Sequence, residues 1–109
     1  MHIIVDVENC VETWKLDDEK LVVDALLSGA HACGATILNH QSHKFSPQGV
    51  TAVVMLAESH ISLHSWPETG SYALDVYTCG DMQCDYAVER IMWALGGTPA
   101  KRHTIQRTL

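Results

Sequence analysis

Val50-Thr51-Ala52-Val53-Val54-Met55-Leu56-Ala57-Glu58-Ser59-His60-Ile61-Ser62-Leu63-His64-Ser65-Trp66 reads as two strands in succession. Val50–Leu56 has a nearly continuous apolar face, which predicts a central strand. Ala57-Glu58-Ser59-His60 is a small polar interruption. Beyond it, Ile61 and Leu63 alternate with His60, Ser62 and His64, the period of a strand with one apolar and one polar face. Strands joined by so short a link must pair antiparallel, because a parallel pair needs a long crossover.

The flanks extend the pattern. On the N-terminal side, Ser46-Pro47-Gln48-Gly49 has turn chemistry, and Ala35–His43 reads as a further strand. Before that, Asp17 and Asp18 offer an N-cap and first-turn acids, Leu21, Val22, Ala25 and Leu26 recur at helical spacing, and Gly34 ends the segment, predicting a helix over 17–33. His2–Val7 is a first strand, and Glu8–Leu16 is irregular. On the C-terminal side, Pro67 and Gly70 break the pattern before Tyr72, Leu74, Val76 and Thr78 alternate again. Asp85 or a near neighbour caps a second helix, with Val88, Ile91, Met92 and Leu95 as its buried stripe and Gly96-Gly97 as its stop. His103–Thr108 adds an edge strand. These elements predict an α+β two-layer sandwich in one domain over 1–109: a mostly antiparallel sheet with two helices on one face. The other face needs cover, and its row of His60, Ser62, His64 and Trp66 points to a partner subunit or a ligand.

Composition excludes several functions. The 109 residues carry 7 Lys+Arg against 13 Asp+Glu, a net charge of −6, which disfavours nucleic acid and anionic membrane surfaces as partners. The longest uncharged apolar run, Val50–Ala57, is far short of a membrane span. Met1-His2-Ile3 leads straight into a strand with no basic n-region, so Cys10, Cys33, Cys79 and Cys84 are expected as thiols in a cytoplasmic setting. Cys79-x4-Cys84 with dispersed histidines is not a zinc knuckle, and no metal site is expected.

Glu58 to Glu68 concentrates serines, histidines and carboxylates. A Ser–His–acid hydrolase would need a nucleophile elbow, and no G-x-S-x-G is present. A polar strand face with satisfied hydrogen bonds is the plain alternative.

Four motifs decide between them: His43-Lys44-Phe45-Ser46-Pro47-Gln48-Gly49-Val50, Ala57-Glu58-Ser59-His60-Ile61-Ser62-Leu63-His64, Trp66-Pro67-Glu68, and Asp75 followed by Thr78-Cys79-Gly80-Asp81. In order and spacing they resemble the prokaryotic S-adenosylmethionine decarboxylase family, small pyruvoyl-dependent enzymes made as proenzymes. The resemblance implies that Ser59 attacks the Glu58 carbonyl and becomes a pyruvoyl group, splitting the chain into 1–58 and 59–109, with no external cofactor. It implies that Thr51 supports this processing and that His64 is its acid/base. It implies that the ketone condenses with the substrate amino group as a Schiff base and that Cys79 returns the proton after carbon dioxide leaves. It implies that Phe45, Trp66 and Glu68 bind S-adenosylmethionine, core packing being the alternative for the two aromatics. It implies a homodimer built through the sheet, supplying decarboxylated S-adenosylmethionine for spermidine synthesis.

The sequence departs from the family pattern at Thr69 and Ser71, where aromatics are common, and at Glu8-Asn9-Cys10. A pyruvoyl decarboxylase of ornithine or arginine on the same fold, or a non-catalytic regulatory paralogue, are the alternatives. Cys10, Cys33 and Cys84 are expected as small buried thiols.

Overall fold

A computed structural model describes residues 1–79 and 83–108. In chain order the elements are β1 (His2–Glu8), α1 (Glu19–Ala32), β2 (Ile37–Lys44), β3 (Val50–Leu56), β4 (Ser59–Trp66), β5 (Ser71–Tyr77), α2 (Cys84–Leu95) and β6 (Thr98–Ile105), with short 3-10 turns at Thr13–Asp17 and Pro67–Thr69. The six strands form one sheet in the order β2-β3-β4-β5-β1-β6, and every neighbouring pair is antiparallel. The α+β sandwich expected from the sequence is therefore the fold.

One face of the sheet is the core. Ile3, Val5 and Val7 from β1, Ile61 and Leu63 from β4, and Leu74 and Val76 from β5 pack against Leu26, Ala30, Val88 and Ile91 of the helices. The helices touch closely at Gly29, where a Cβ would lie 2.8 Å from the Ile91 side chain. Only a residue without a side chain fits there.

Several boundaries differ from expectation, each for a local reason. α1 begins at Glu19 because Asp18 is its N-cap, its carboxylate accepting from Leu21 N at 3.1 Å. Asp17 instead accepts from Gly49 N at 2.8 Å and pairs with Lys44 at 3.0 Å, which pins the β2–β3 turn. Asp85 lies inside α2 and pairs with Arg102; Gln83 precedes the helix and makes no side-chain cap. Gly96 and Gly97, at φ of 83° and 90°, turn the chain straight into β6, so the last strand starts at Thr98 and not near His103. Its Pro99 is tolerated because β6 is an edge strand.

The largest correction concerns β3. It lies inside the sheet, one strand from the edge, but only one of its faces is buried. Val53 and Met55 are exposed on the face without helices. The interruption after β3 is also shorter than expected: Leu56 pairs with Ser59 and Met55 with His60, so the turn is Ala57-Glu58 alone.

Candidate active site

The two-residue turn between β3 and β4 forces one residue into the left-handed region, and that residue is Glu58, at φ 62°. Among non-glycine residues described, only Asn9 shares such a φ. A side chain there disfavours the conformation by roughly 1–2 kcal/mol. The strained residue thus supplies the carbonyl of the Glu58–Ser59 peptide.

Ser59 opens β4 and is 8% exposed. Its register beside β5, with His60 opposite Tyr77, brings the residues after Tyr77 next to it. Cys79 N donates to Ser59 Oγ at 3.2 Å, and the Cys79 Sγ lies 3.7 Å from the same oxygen. The thiol also faces Glu58 Oε2 at 3.6 Å. The end of β5 is held in place by the chain terminus, since Thr78 N donates to Met1 O at 2.9 Å and the Met1 ammonium donates to Thr78 O at 2.8 Å. A hydroxyl beside a strained carbonyl, with a thiol and a carboxylate within reach, is an arrangement suited to acyl transfer and proton transfer. Gly80 and Asp81, which complete the last motif, lie outside the described residues.

His64 and Thr51 are not part of this cluster. They face each other across β3 and β4, with Thr51 Oγ1 2.9 Å from His64 Nδ1. Ser59 and His64 are five positions apart, about 17 Å at roughly 3.4 Å per residue, and an odd spacing turns the two side chains to opposite faces. The processing residues expected from the sequence are therefore divided within one chain.

The expected binding residues gather at the His64 end. Phe45, Trp66 and Glu68 line a cleft of about 400 Å³ together with Thr51, His64 and Gln48. Phe45 and Trp66 are 45% and 46% exposed, so neither is a core residue. Thr69 and Ser71, the departures from the family pattern, bond to each other at 2.6 Å, and Thr69 Oγ1 donates to Trp66 O at 3.3 Å. Two small hydroxyl groups thus stand beside the Trp66 backbone.

Sequence reasoning missed a third group. Asp75 on β5 accepts from His60 Nε2 at 3.0 Å and from Ser62 Oγ at 3.3 Å, and it contacts His2 Nε2. Burial raises the Asp75 carboxyl, but the hydrogen bonds from His2 and His60 outweigh it and hold the group below its usual range. The residues were visible on three strands; what could not be read was that β1, β5 and β4 are neighbours. Cys10, Cys33 and Cys84 are buried free thiols as expected, and burial pushes Cys10 and Cys33 up.

Residues 1–108 match the family profile described as S-adenosylmethionine decarboxylase. The chain is 54% identical over 80 residues to an S-adenosylmethionine decarboxylase proenzyme of Methanococcus vannielii, an alignment covering 73% of this chain and 65% of that protein. It therefore spans a little under two thirds of that relative. It is 42% identical over 106 residues to a proenzyme of the same name from Prochlorococcus marinus, covering 96% of this chain and 82% of the relative. The crystal structure of the adenosylmethionine decarboxylase from Aquifex aeolicus superposes with a TM-score of 0.81 at 34% identity, over 94% of this chain and 82% of that one. The profile match from end to end and the shared fold make this chain a member of the S-adenosylmethionine decarboxylase family.

Proposed function

We propose that the chain is an S-adenosylmethionine decarboxylase that cleaves itself before Ser59. The observation that carries this reading is the convergence of Glu58, Ser59 and Cys79, from two separate motifs, at one end of β4. Ser59 Oγ attacks the Glu58 carbonyl carbon, the C–N bond breaks, and the amide becomes an ester. Loss of the Ser59 Cα proton then expels the Glu58 carboxylate from Cβ, leaving dehydroalanine at the head of 59–109. Water replaces its nitrogen, which leaves as ammonia, and the new terminus is pyruvoyl. The left-handed backbone at Glu58 stores strain that opening of the turn releases, which offsets part of the cost of breaking the adjacent peptide bond.

The pyruvoyl ketone supplies the electron sink that decarboxylation at an amino-acid Cα needs and that no ordinary side chain offers. Cys79 is then positioned to hold and return a proton beside the residue 59 carbon. Phe45 and Trp66 offer ring faces to an adenine and to a sulfonium, and Glu68 offers a carboxylate to ribose hydroxyls.

His64 and Thr51 serve the same reaction from a second copy. Ile61 and Ser62 mark the middle of the segment between Ser59 and His64. A two-fold axis there lays the His64 end of each chain over the Ser59 end of its mate. The exposed Ile4, Val53 and Met55 give the helix-free face the apolar character that such a homodimer needs. No described helix is long and apolar enough to cross a membrane, and four free cysteines fit a reducing cytoplasm.

Intact-mass measurement of purified protein tests the processing: two chains of 58 and 51 residues are expected, and a single intact chain in an active preparation overturns the reading. Ser59→Ala stays whole. Cys79→Ala is cut but loses turnover by about 100-fold or more. Thr69 and Ser71 favour a second reading, a smaller substrate such as ornithine or arginine. Carbon dioxide release from a panel containing all three substrates decides between them.

A further inference from the structure

We propose that His2, His60 and Asp75 form a binding site for one divalent transition-metal ion of the zinc class. The inference rests on the geometry of the helix-free face and is independent of the self-cleavage reading. His2 and His60 both pair with Tyr77 across β5, and Asp75 lies two residues from Tyr77 on the same strand. All three side chains therefore leave the same face of adjacent strands. One ligand atom from each lies within 4.8 Å of the other two, and among the described residues no other group of three His, Cys, Asp or Glu side chains converges in this way.

The set is nearly at coordination distance. A tetrahedral zinc ion with bonds of about 2.0–2.1 Å holds its ligand atoms roughly 3.3 Å apart. His60 Nε2 is 3.0 Å from Asp75 Oδ2, and His2 Nε2 contacts the other carboxylate oxygen. Small rotations suffice to open room for an ion. Two imidazoles and one carboxylate select zinc, cobalt or nickel over magnesium or calcium. Ser62 Oγ donates at 3.3 Å to the same Asp75 oxygen that faces His60 and helps to fix the carboxylate. The site lies on the helix-free face beside Ile4, which is opposite Asp75 in the register and belongs to the face proposed for the homodimer, so the remaining coordination comes from water or from the second copy.

Arg107 gives the site a distinguishing signature. Its guanidinium lies 3.2 Å from His2 Nδ1 and 5.3 Å from the Tyr77 ring. An arginine can only donate, so in this contact Nδ1 accepts and the His2 proton sits on Nε2, facing Asp75. A metal on Nε2 requires the opposite tautomer, whose Nδ1–H would point at Arg107. Metal and the Arg107 contact therefore exclude each other.

The test is titration of the chelator-treated full chain with Co(II), read by visible absorption, followed by displacement with Zn(II). One cobalt per protomer, cleaved or intact, is expected, displaced by zinc, with binding weakened at least 10-fold in His60→Gln and in Asp75→Asn and tightened several-fold in Arg107→Gln. Circular dichroism confirms that each variant is folded; if Asp75→Asn is not, His60→Gln carries the test. The absence of a cobalt band overturns the proposal. So does a band that persists in His60→Gln, or one that disappears when the thiols are blocked. Unchanged affinity in Arg107→Gln overturns the exclusion between ion and guanidinium.

Discussion

Glu58 occupies a conformation that its own side chain resists, and glycine does not resist it. Glu58→Gly should relieve the left-handed backbone while adding the entropy cost of glycine, a net gain of about 0.5–1 kcal/mol. Ser59→Ala protein is the right background for the measurement, because no cleavage then disturbs the urea midpoint. In the chain with Ser59 intact, the same substitution should slow cleavage. A relaxed turn that leaves the cleavage rate unchanged would separate strain from mechanism. Asp75 makes the other residue-level prediction. Its folded value lies below the ordinary 3.8, so folding favours its charged form. That contribution is fully present above the unfolded value and is lost as pH falls through the folded one. Asp75→Asn should therefore flatten the fall in stability below about pH 4, read from urea midpoints between pH 6 and 3. The residues of both arguments stood in the sequence, but their relations did not. Glu58 was legible as the residue before Ser59; its left-handed φ follows from a two-residue turn whose length only strand register fixes.

Between the helices, α1 meets α2 closely at Gly29. A Cβ there would meet Ile91 at 2.8 Å and the Ala87 carbonyl oxygen at 3.1 Å, and backbone cannot move aside as a side chain can. Gly29→Val should cost about 1–3 kcal/mol and lower the melting temperature, while leaving the sheet-borne clusters intact. A calorimetric scan checks it; an unchanged transition would mean that the helices can slide apart without loss. The helices themselves were readable because apolar spacing and caps are local properties. Asp18 and Gly34 bracket α1 to within two residues of its ends. β6 was placed too late because Pro99, Ala100 and Lys101 carry weak strand propensity, and pairing with β1, far away in sequence, overrides it. The exposure of Val53 and Met55 has the same origin: an apolar run looks identical whether its second face is covered by the same chain or left for another.

At the scale of the whole molecule, the two ends of β4 carry the two groups of residues proposed to share one chemistry. Ser59, Glu58 and Cys79 lie at one end, and Thr51, His64 and the Phe45–Trp66–Glu68 cleft at the other. The spacing of five between Ser59 and His64 already implied opposite faces once both lay on one strand; reading Ser59 as part of the turn hid it. If the halves combine only between copies, two inactive chains should rescue each other. Ser59→Ala cannot be cut but keeps His64. His64→Ala keeps Ser59 but lacks the proposed acid/base. Co-expressed, they should form a mixed dimer in which the His64→Ala chain alone is cleaved, by the histidine of its mate. With random pairing about half the dimers are mixed, so at most about half of the His64→Ala chains should be cut. Mass spectrometry with one chain tagged reads which polypeptide is split. Cleavage of neither chain would return the processing machinery to a single copy. That outcome would require β4 to bend so that His64 reaches Ser59 across five residues of paired strand, breaking the ladder with β3 and β5 that holds the sheet together.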